Sequence, residues 1–155
     1  MEEAVKTSAA ANEFLRFVDA IPGLVAVLTP SGQVDFVNHQ LTDYFGQTLE
    51  ELRHWGKNGT VHPEDLQFVA DTFSRSITSG TPYEITQRLR RADGAYRWIQ
   101  NNGFPLRGQN GQITQWCVLL TDIDERKRAE DALRESERLF KTVFDEAGAG
   151  ISMVD

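Results

Sequence analysis

Residues Arg88–Asp124, RLRRADGAYRWIQNNGFPLRGQNGQITQWCVLLTDID, decide the fold. Two clusters of turn residues, Ala92-Asp93-Gly94 and Gly108–Gly111, interrupt runs rich in β-branched and aromatic side chains. Asp-Gly and Asn-Gly flanked by such runs mark hairpins, because Gly, Asn and Asp tolerate the positive φ that tight turns need. The stretch therefore predicts three strands, Tyr83–Arg91, Ala95–Arg107 and Gln112–Asp122, joined as an antiparallel meander.

Upstream lies a helical pattern from Glu64 to Ser79, with Leu66, Val69, Phe73 and Ile77 on one stripe and Gly80 closing it. Its start, His62-Pro63-Glu64-Asp65, puts proline in the first turn and acids where the helix dipole favours them. Thr48 with Glu51 fits a capping box for a short helix Leu49–Trp55, and Asn38 is an N-cap for another, Gln40–Phe45. Before these, Leu24–Thr29 and Val34–Val37 form a hairpin around Pro30-Ser31-Gly32. Residues 1–7 read as disordered, and a helix from Ser8 carries Phe14, Phe17 and Val18 on one face, ending at Ile21-Pro22-Gly23. The whole order is α+β: a five-stranded antiparallel sheet with helices on one face, plus an N-terminal helix and a long C-terminal one.

Composition sets limits. With 155 residues there is room for one ordinary domain and a tail. A net charge of -7 with dispersed acids argues against nucleic acid and anionic membrane surfaces, and Arg88, Arg90 and Arg91 read as a solvated strand face. The single cysteine, Cys117, excludes an internal disulfide. His39, His54 and His62 lack metal-ligand spacing, and no nucleophile elbow, P-loop or dinucleotide fingerprint is present, so this segment reads as no enzyme. No secretory leader or membrane span is legible, which makes a cytoplasmic location the expectation.

Several of these motifs together carry a resemblance. Gly32…Val34…Phe36-Val37-Asn38, His62-Pro63-Glu64-Asp65, Leu89-Arg90-Arg91…Asp93-Gly94…Tyr96-Arg97-Trp98 and the closing Thr121-Asp122-Ile123 resemble a PAS domain of the PAS fold 3 subtype, with its trailing PAC segment. The likeness covers roughly residues 12 to 128 and implies a sensory module of a tandem-PAS signalling protein such as a sensor histidine kinase or a diguanylate cyclase. The family's closing triplet is usually Asp-Ile-Thr, and here it is Asp122-Ile123-Asp124, so a charge replaces a hydroxyl where sheet meets helix.

The resemblance also implies a cavity between helices and sheet. With strand alternation it turns Ile85, Gln87 and Leu89, then Ile99 and Asn101, then Trp116, Val118 and Leu120 inward, with Phe45, Trp55 and Phe68 as the helical wall. Gln87 and Asn101 are the polar exceptions: they bond each other or water, or meet a small-molecule ligand. Tyr96 and Trp98 are expected on the opposite face, beneath the terminal helices. No cofactor is predicted. A flavin adduct needs a cysteine on a helix beside the cavity, whereas Cys117 is on the last strand facing away, and a haem of the PAS type needs a histidine in the long helix, which Leu66–Ser79 lacks.

Residues 125–147 form a helical linker whose Ala129, Leu133, Ser136, Phe140, Val143 and Ala147 alternate at spacings of four and three, a heptad seam. Arg126/Glu130, Lys127/Asp131, Glu130/Arg134 and Glu137/Lys141 stand at i, i+4. Phe140…Val143-Phe144-Asp145…Ile151…Met153-Val154 repeats Phe14…Phe17-Val18-Asp19…Val25…Val27-Leu28 at one constant offset, so residues 148–155 read as the start of a second PAS domain. The expected partners are a second copy bound through the flanking helices and a downstream output domain in cis, reached through Asp122, Ile123 and Asp124.

Overall fold

The computed structural model describes residues 12–146. The expected disorder of residues 1–7, the helix start at Ser8, the seam position Ala147 and the second-domain start at 148–155 lie outside the described residues. The chain divides between Asp122 and Ile123 into two compact units.

In the first unit a helix over residues 12–20 (α1) leads into β1 (Leu24–Leu28) and β2 (Val34–Val37). Three helices follow, α2 (His39–Phe45), α3 (Leu49–Leu52) and α4 (Pro63–Ser79), then β3 (Tyr83–Arg90), β4 (Tyr96–Arg107) and β5 (Ile113–Asp122). The strands form one antiparallel sheet in the order β2-β1-β5-β4-β3, so the chain's first hairpin docks on its last strand. The α+β expectation holds.

The meander strands are slightly shorter than read from sequence. Arg91 N–H donates to Ala95 O and Gly108 N–H to Gln112 O (both 2.8 Å), which closes the turns and takes these residues out of the ladder. Asp93 Oδ1 also accepts from Ala95 N–H (3.0 Å), and Gly94 carries the positive φ of 88° that the Asp-Gly turn requires. The expected helix Leu49–Trp55 ends at Leu52: His54 and Trp55 donate three residues back, to Glu51 O and Leu52 O, and the last turn tightens.

Alternation separates two cores. One face buries Leu28, Ile85, Leu89, Ile99 and Trp116 beneath α2 to α4. The other buries Val25 and Val27, with Cys117 and Phe36, against Val18 and Phe14 of α1. Of the terminal helices expected on Tyr96 and Trp98, α1 packs instead on Val25, Val27 and Cys117. The Tyr96 hydroxyl donates to Gly59 O (2.8 Å), and Trp98 lies under the Arg88 guanidinium, 5.0 Å from the ring centre.

Asn38 joins these parts. Its side chain is fully buried (0% exposed); Oδ1 accepts from Val25 N–H and Leu41 N–H (both 3.2 Å), and Nδ2 donates to Gly23 O (2.7 Å). One amide thus caps α2, bonds β1 and ties down the chain after α1. Asp19 and Gln40 reinforce it: Asp19 Oδ1 accepts from His39 N–H (2.8 Å), and Gln40 Nε2 donates to Ile21 O (3.0 Å).

The second unit is Ile123 and α5 (Asp124–Glu146). Acidic Asp124 and Glu125 occupy its first turn, and Asp124 pairs with Arg128 Nε at 2.5 Å. Of the expected i, i+4 pairs, Arg126–Glu130 (3.6 Å) and Lys127–Asp131 (3.9 Å) form, while Arg134 turns back to Asp131 (3.6 Å). Leu133, Phe140 and Val143 of the heptad seam are each more than 60% exposed.

Replacing Asn38 by Ala removes a cap and leaves buried backbone groups without partners. We expect a loss of about 3 kcal/mol, measured by urea denaturation; a loss below about 1 kcal/mol would show that the amide is dispensable.

Candidate functional site

Between the inner sheet face and α2, α3 and α4 lies a cavity of about 100 Å³. It opens opposite small side chains: Ala26 pairs with Val118 at the sheet centre, and Val118 pairs in turn with Gly103. Gly103 must remain without a side chain, because the Tyr83 ring lies over it and a Cβ there would come within 2.2 Å of the ring. Leu41 and Phe45 of α2, Leu52 of α3, Trp55, and Val69 and Phe73 of α4 form the helical wall.

Of the residues expected from sequence, Phe45, Trp55, Ile85, Gln87, Leu89, Asn101, Val118 and Leu120 line this cavity. Ile99 and Trp116 share the inner face and are fully buried at 0% exposure, but they lie outside the lining. Phe68 is not in the wall: it is 59% exposed on α4, whose Val69 and Phe73 face inward. Thr60, Val61 and Tyr83 also line the cavity and were missed. Thr60 and Val61 sit in the loop before α4, which runs along the β3 edge through Arg90 N–H to Thr60 O (2.8 Å) and His62 N–H to Arg88 O (3.0 Å).

The lining is apolar apart from Thr60, Tyr83, Gln87 and Asn101. Thr60 is satisfied, accepting from Gln47 Nε2 (2.8 Å) and donating to Asn58 Oδ1 (2.6 Å). Gln87 Oε1 and Asn101 Oδ1 are buried and accept no hydrogen bond. They do not bond each other. They belong to adjacent strands, Gln87 opposite Ile99 and Asn101 opposite Ile85, and so sit diagonally on one face. A buried acceptor without a donor costs roughly 1–3 kcal/mol. Burial raises the pKa of Tyr83, against the opposing effect of the neighbouring Asn101 amide, and so keeps the hydroxyl protonated.

A second cluster closes the sheet where the first unit ends. Asp122, the last residue of β5, accepts from Tyr44 Oη (2.5 Å) through Oδ2, and from Arg97 Nε (3.0 Å) through the same oxygen. Tyr44 stands next to Phe45 on α2, their rings edge to face at 4.9 Å, and Ala92 N–H donates to Tyr44 O (2.9 Å). Burial and the Asp122 hydrogen bond raise the Tyr44 pKa. Tyr44 and Arg97 carry no local sequence signal toward Asp122, from which Tyr44 stands 78 positions away.

The arginines expected on a solvated face are committed instead. Arg88 makes bonds of 3.1 and 2.8 Å to the Asp65 carboxylate on α4, Arg90 donates to Asn58 O (3.2 Å) and Arg91 pairs with Asp93. Burial pushes the Asp65 carboxyl up, but the Arg88 hydrogen bonds outweigh it and the pKa falls below 3.8. Among the described residues no cluster of His, Cys, Asp and Glu suits a metal ion, and no helix is long and apolar enough to cross a membrane. Cys117 faces away from the cavity, in the α1 core, and burial raises its thiol pKa.

Five antiparallel strands hold a small cavity under short helices, and a long helix follows the last strand. Comparison with known proteins places this fold in a family. The family described as PAS fold matches residues 34–119, and the chain belongs to it. An uncharacterized protein of Sinorhizobium fredii, y4lL, is 31% identical over 118 residues, covering 68% of this chain and 14% of that protein. The peroxide stress-activated histidine kinase mak1 of Schizosaccharomyces pombe is 28% identical over 123 residues, covering 79% of this chain and 7% of the kinase. The chain thus spans a small part of these relatives. In fold it resembles a sensory box histidine kinase/response regulator structure from Burkholderia thailandensis, with a TM-score of 0.60 and 22% identity over 83% of this chain and 95% of that one.

The Tyr44–Asp122 bond has a pH signature. A folded-state pKa raised above the ordinary 10.0 means that the unfolded chain releases its proton first. The associated stability is complete below about pH 10 and falls as the pH climbs toward the folded value. Urea melts from about pH 9 to 11 should show this fall, and it should be shallower in Tyr44→Phe than in wild type; equal slopes would remove Tyr44 as the cause.

Proposed function

We propose that this chain is the sensory and dimerisation module of a larger signalling protein, and that it relays a change of sheet geometry through Asp122, Ile123 and Asp124 into α5. The observation that carries the reading is the double hold on Asp122. Tyr44 reaches it from α2, whose Leu41 and Phe45 wall the cavity, and Arg97 reaches it from β4, which presents Asn101 to the same cavity. A shift of α2 or β4 therefore moves the carboxylate at the last residue of β5, and α5 begins two residues further on. Asp124, in the first turn of α5, pairs with Arg128 of the same helix.

The exposed Leu133, Phe140 and Val143 on α5, together with Phe17 on α1, support a homodimer through the flanking helices. A lone helix of this length is marginal in water, which favours a partner for that seam. The whole protein is read as a cytoplasmic sensor histidine kinase or diguanylate cyclase with its output domain downstream in cis, and residues 148–155 as the opening of a second PAS domain. A second reading, a sensor of a small metabolite, is favoured by the cavity itself, with Gln87 and Asn101 as polar residues in its lining.

Two measurements test the proposal. Asp122→Ala should fold, with hydrogen exchange accelerated about tenfold or more at amides 123–128 and the output response of the full-length protein weakened; an unaltered response would sink the relay. Sedimentation equilibrium should show a dimer at high micromolar concentration, and a monomer there would remove the dimerisation role.

A further inference from the structure

The same spacing of apolar side chains occurs at both ends of the described residues, and only one of the two sets is covered. In α1, Phe14 and Val18 pack on the sheet face opposite the cavity, against Val25, Val27, Phe36 and Cys117. Phe17, on the same helix, points into solvent. In α5 the constant offset puts Phe140 at the position of Phe14, Val143 at that of Phe17 and Phe144 at that of Val18. Here all three are exposed: Val18 keeps 3% of its surface, Phe144 39%. The Phe140 and Phe144 rings lie 4.4 Å apart between centres and so form one continuous apolar surface, which calls for a cover more than scattered side chains do.

Two covers are geometrically distinct. A second copy packed along the heptad seam takes Phe140 and Val143 and leaves Phe144 aside. Packing of the kind α1 makes takes Phe140 and Phe144 and leaves Val143 aside. Successive residues stand about 100° apart around a helix, so Val143 and Phe144 do not share the centre of one contact. The neighbouring residues match the second kind. Asp145 stands at the position of Asp19, whose carboxylate accepts from the His39 N–H at the start of α2 (2.8 Å). Ile151 and Met153 stand at the positions of Val25 and Val27, the β1 side chains on which α1 packs, and lie outside the described residues.

We propose that the last turns of α5 are the docking helix of a following domain in cis. Phe140 and Phe144 seat Ile151 and Met153 on the outer face of that domain's sheet, and Asp145 accepts from the N–H at the start of the helix after its first hairpin. This rests on residues 148–155 being the opening of a second domain, and it adds the face of α5 that the domain takes. Phe17, Leu133 and Val143 are left for a second copy of the chain. One helix then both follows β5 and covers the next sheet, with no flexible joint between them.

Hydroxyl-radical footprinting of the full-length protein tests this, with the chain ending at Asp155 as the reference at matched concentration. In the full-length protein Phe140 and Phe144 should be oxidised at least about fivefold more slowly, independently of concentration, and Val143 should change less than about twofold. Amides 151–154 should be protected there, and Phe144→Ser should speed their exchange about tenfold while Val143→Ser leaves it unchanged. If Phe144→Ser fails to fold, the wild-type footprint still decides. Protection of Val143 in place of Phe144, rising with concentration, would give the surface to a second copy. Equal oxidation of Phe144 in the two chains would leave it to solvent, and either result overturns the proposal. The underlying reading fails separately. Unprotected amides 151–154 in the full-length protein remove the second domain itself, whereas protected amides with Phe140 and Phe144 still reactive keep that domain and remove only its docking on α5.

Discussion

The side-chain amide of Asn38 is the constraint on which the rest of the first unit depends. It is a single group with no water access, and it settles where α2 begins, how β1 meets the chain before it and where α1 stops. Because α2 has only seven residues, fixing its first turn fixes all of it. Leu41 and Phe45 then point into the cavity, and Tyr44 reaches Asp122. At its far end Gly46, at φ 63°, lets the chain turn back over Ala92 of the β3–β4 turn, where a Cβ would stand 2.9 Å from the alanine methyl. The helix is thus held at both ends by the sheet it covers.

The Leu41 and Phe45 side chains of α2 line the cavity, and its Tyr44 hydroxyl donates to Asp122 at the end of β5. The same helix start is bonded to α1 and to the turn after it through Asp19 and Gln40, so the chain segment before the sheet is tied to one cavity wall. The polar bonds doing this are few and partly buried, where a lost partner costs more than a surface contact would. The cavity exists because the sheet beneath it carries small side chains at its centre, and it stays small because Trp55, Phe73 and Tyr83, whose rings meet edge to face, crowd it.

What could be read beforehand follows the range of the forces involved. Asp93-Gly94, the Thr48–Glu51 capping box, the His62-Pro63 helix start and the Asn38 cap act within a few residues, and each stands in the structure as the sequence implies. Strand alternation likewise puts Ile85, Gln87, Leu89, Asn101, Val118 and Leu120 on the cavity face, since the period of two is a property of the backbone. Phe68 shows the weakness of arguing from hydrophobicity alone. It lies one position from Val69, and on a helix that step of about 100° carries it into solvent.

The sequence by itself determined the elements, their order and the faces of the strands, because those depend on turn chemistry, caps and periodicity within short windows. Only the tertiary structure decided that Tyr44 and Arg97 close on Asp122, that Arg88 belongs to Asp65 and that α1 packs on Val25 and Cys117. It alone also decided that helices and sheet leave a cavity of about 100 Å³ with Gln87 and Asn101 in its lining. These are meetings of side chains far apart along the chain. Their geometry follows from how the sheet twists and how closely the helices approach it, which no local pattern encodes.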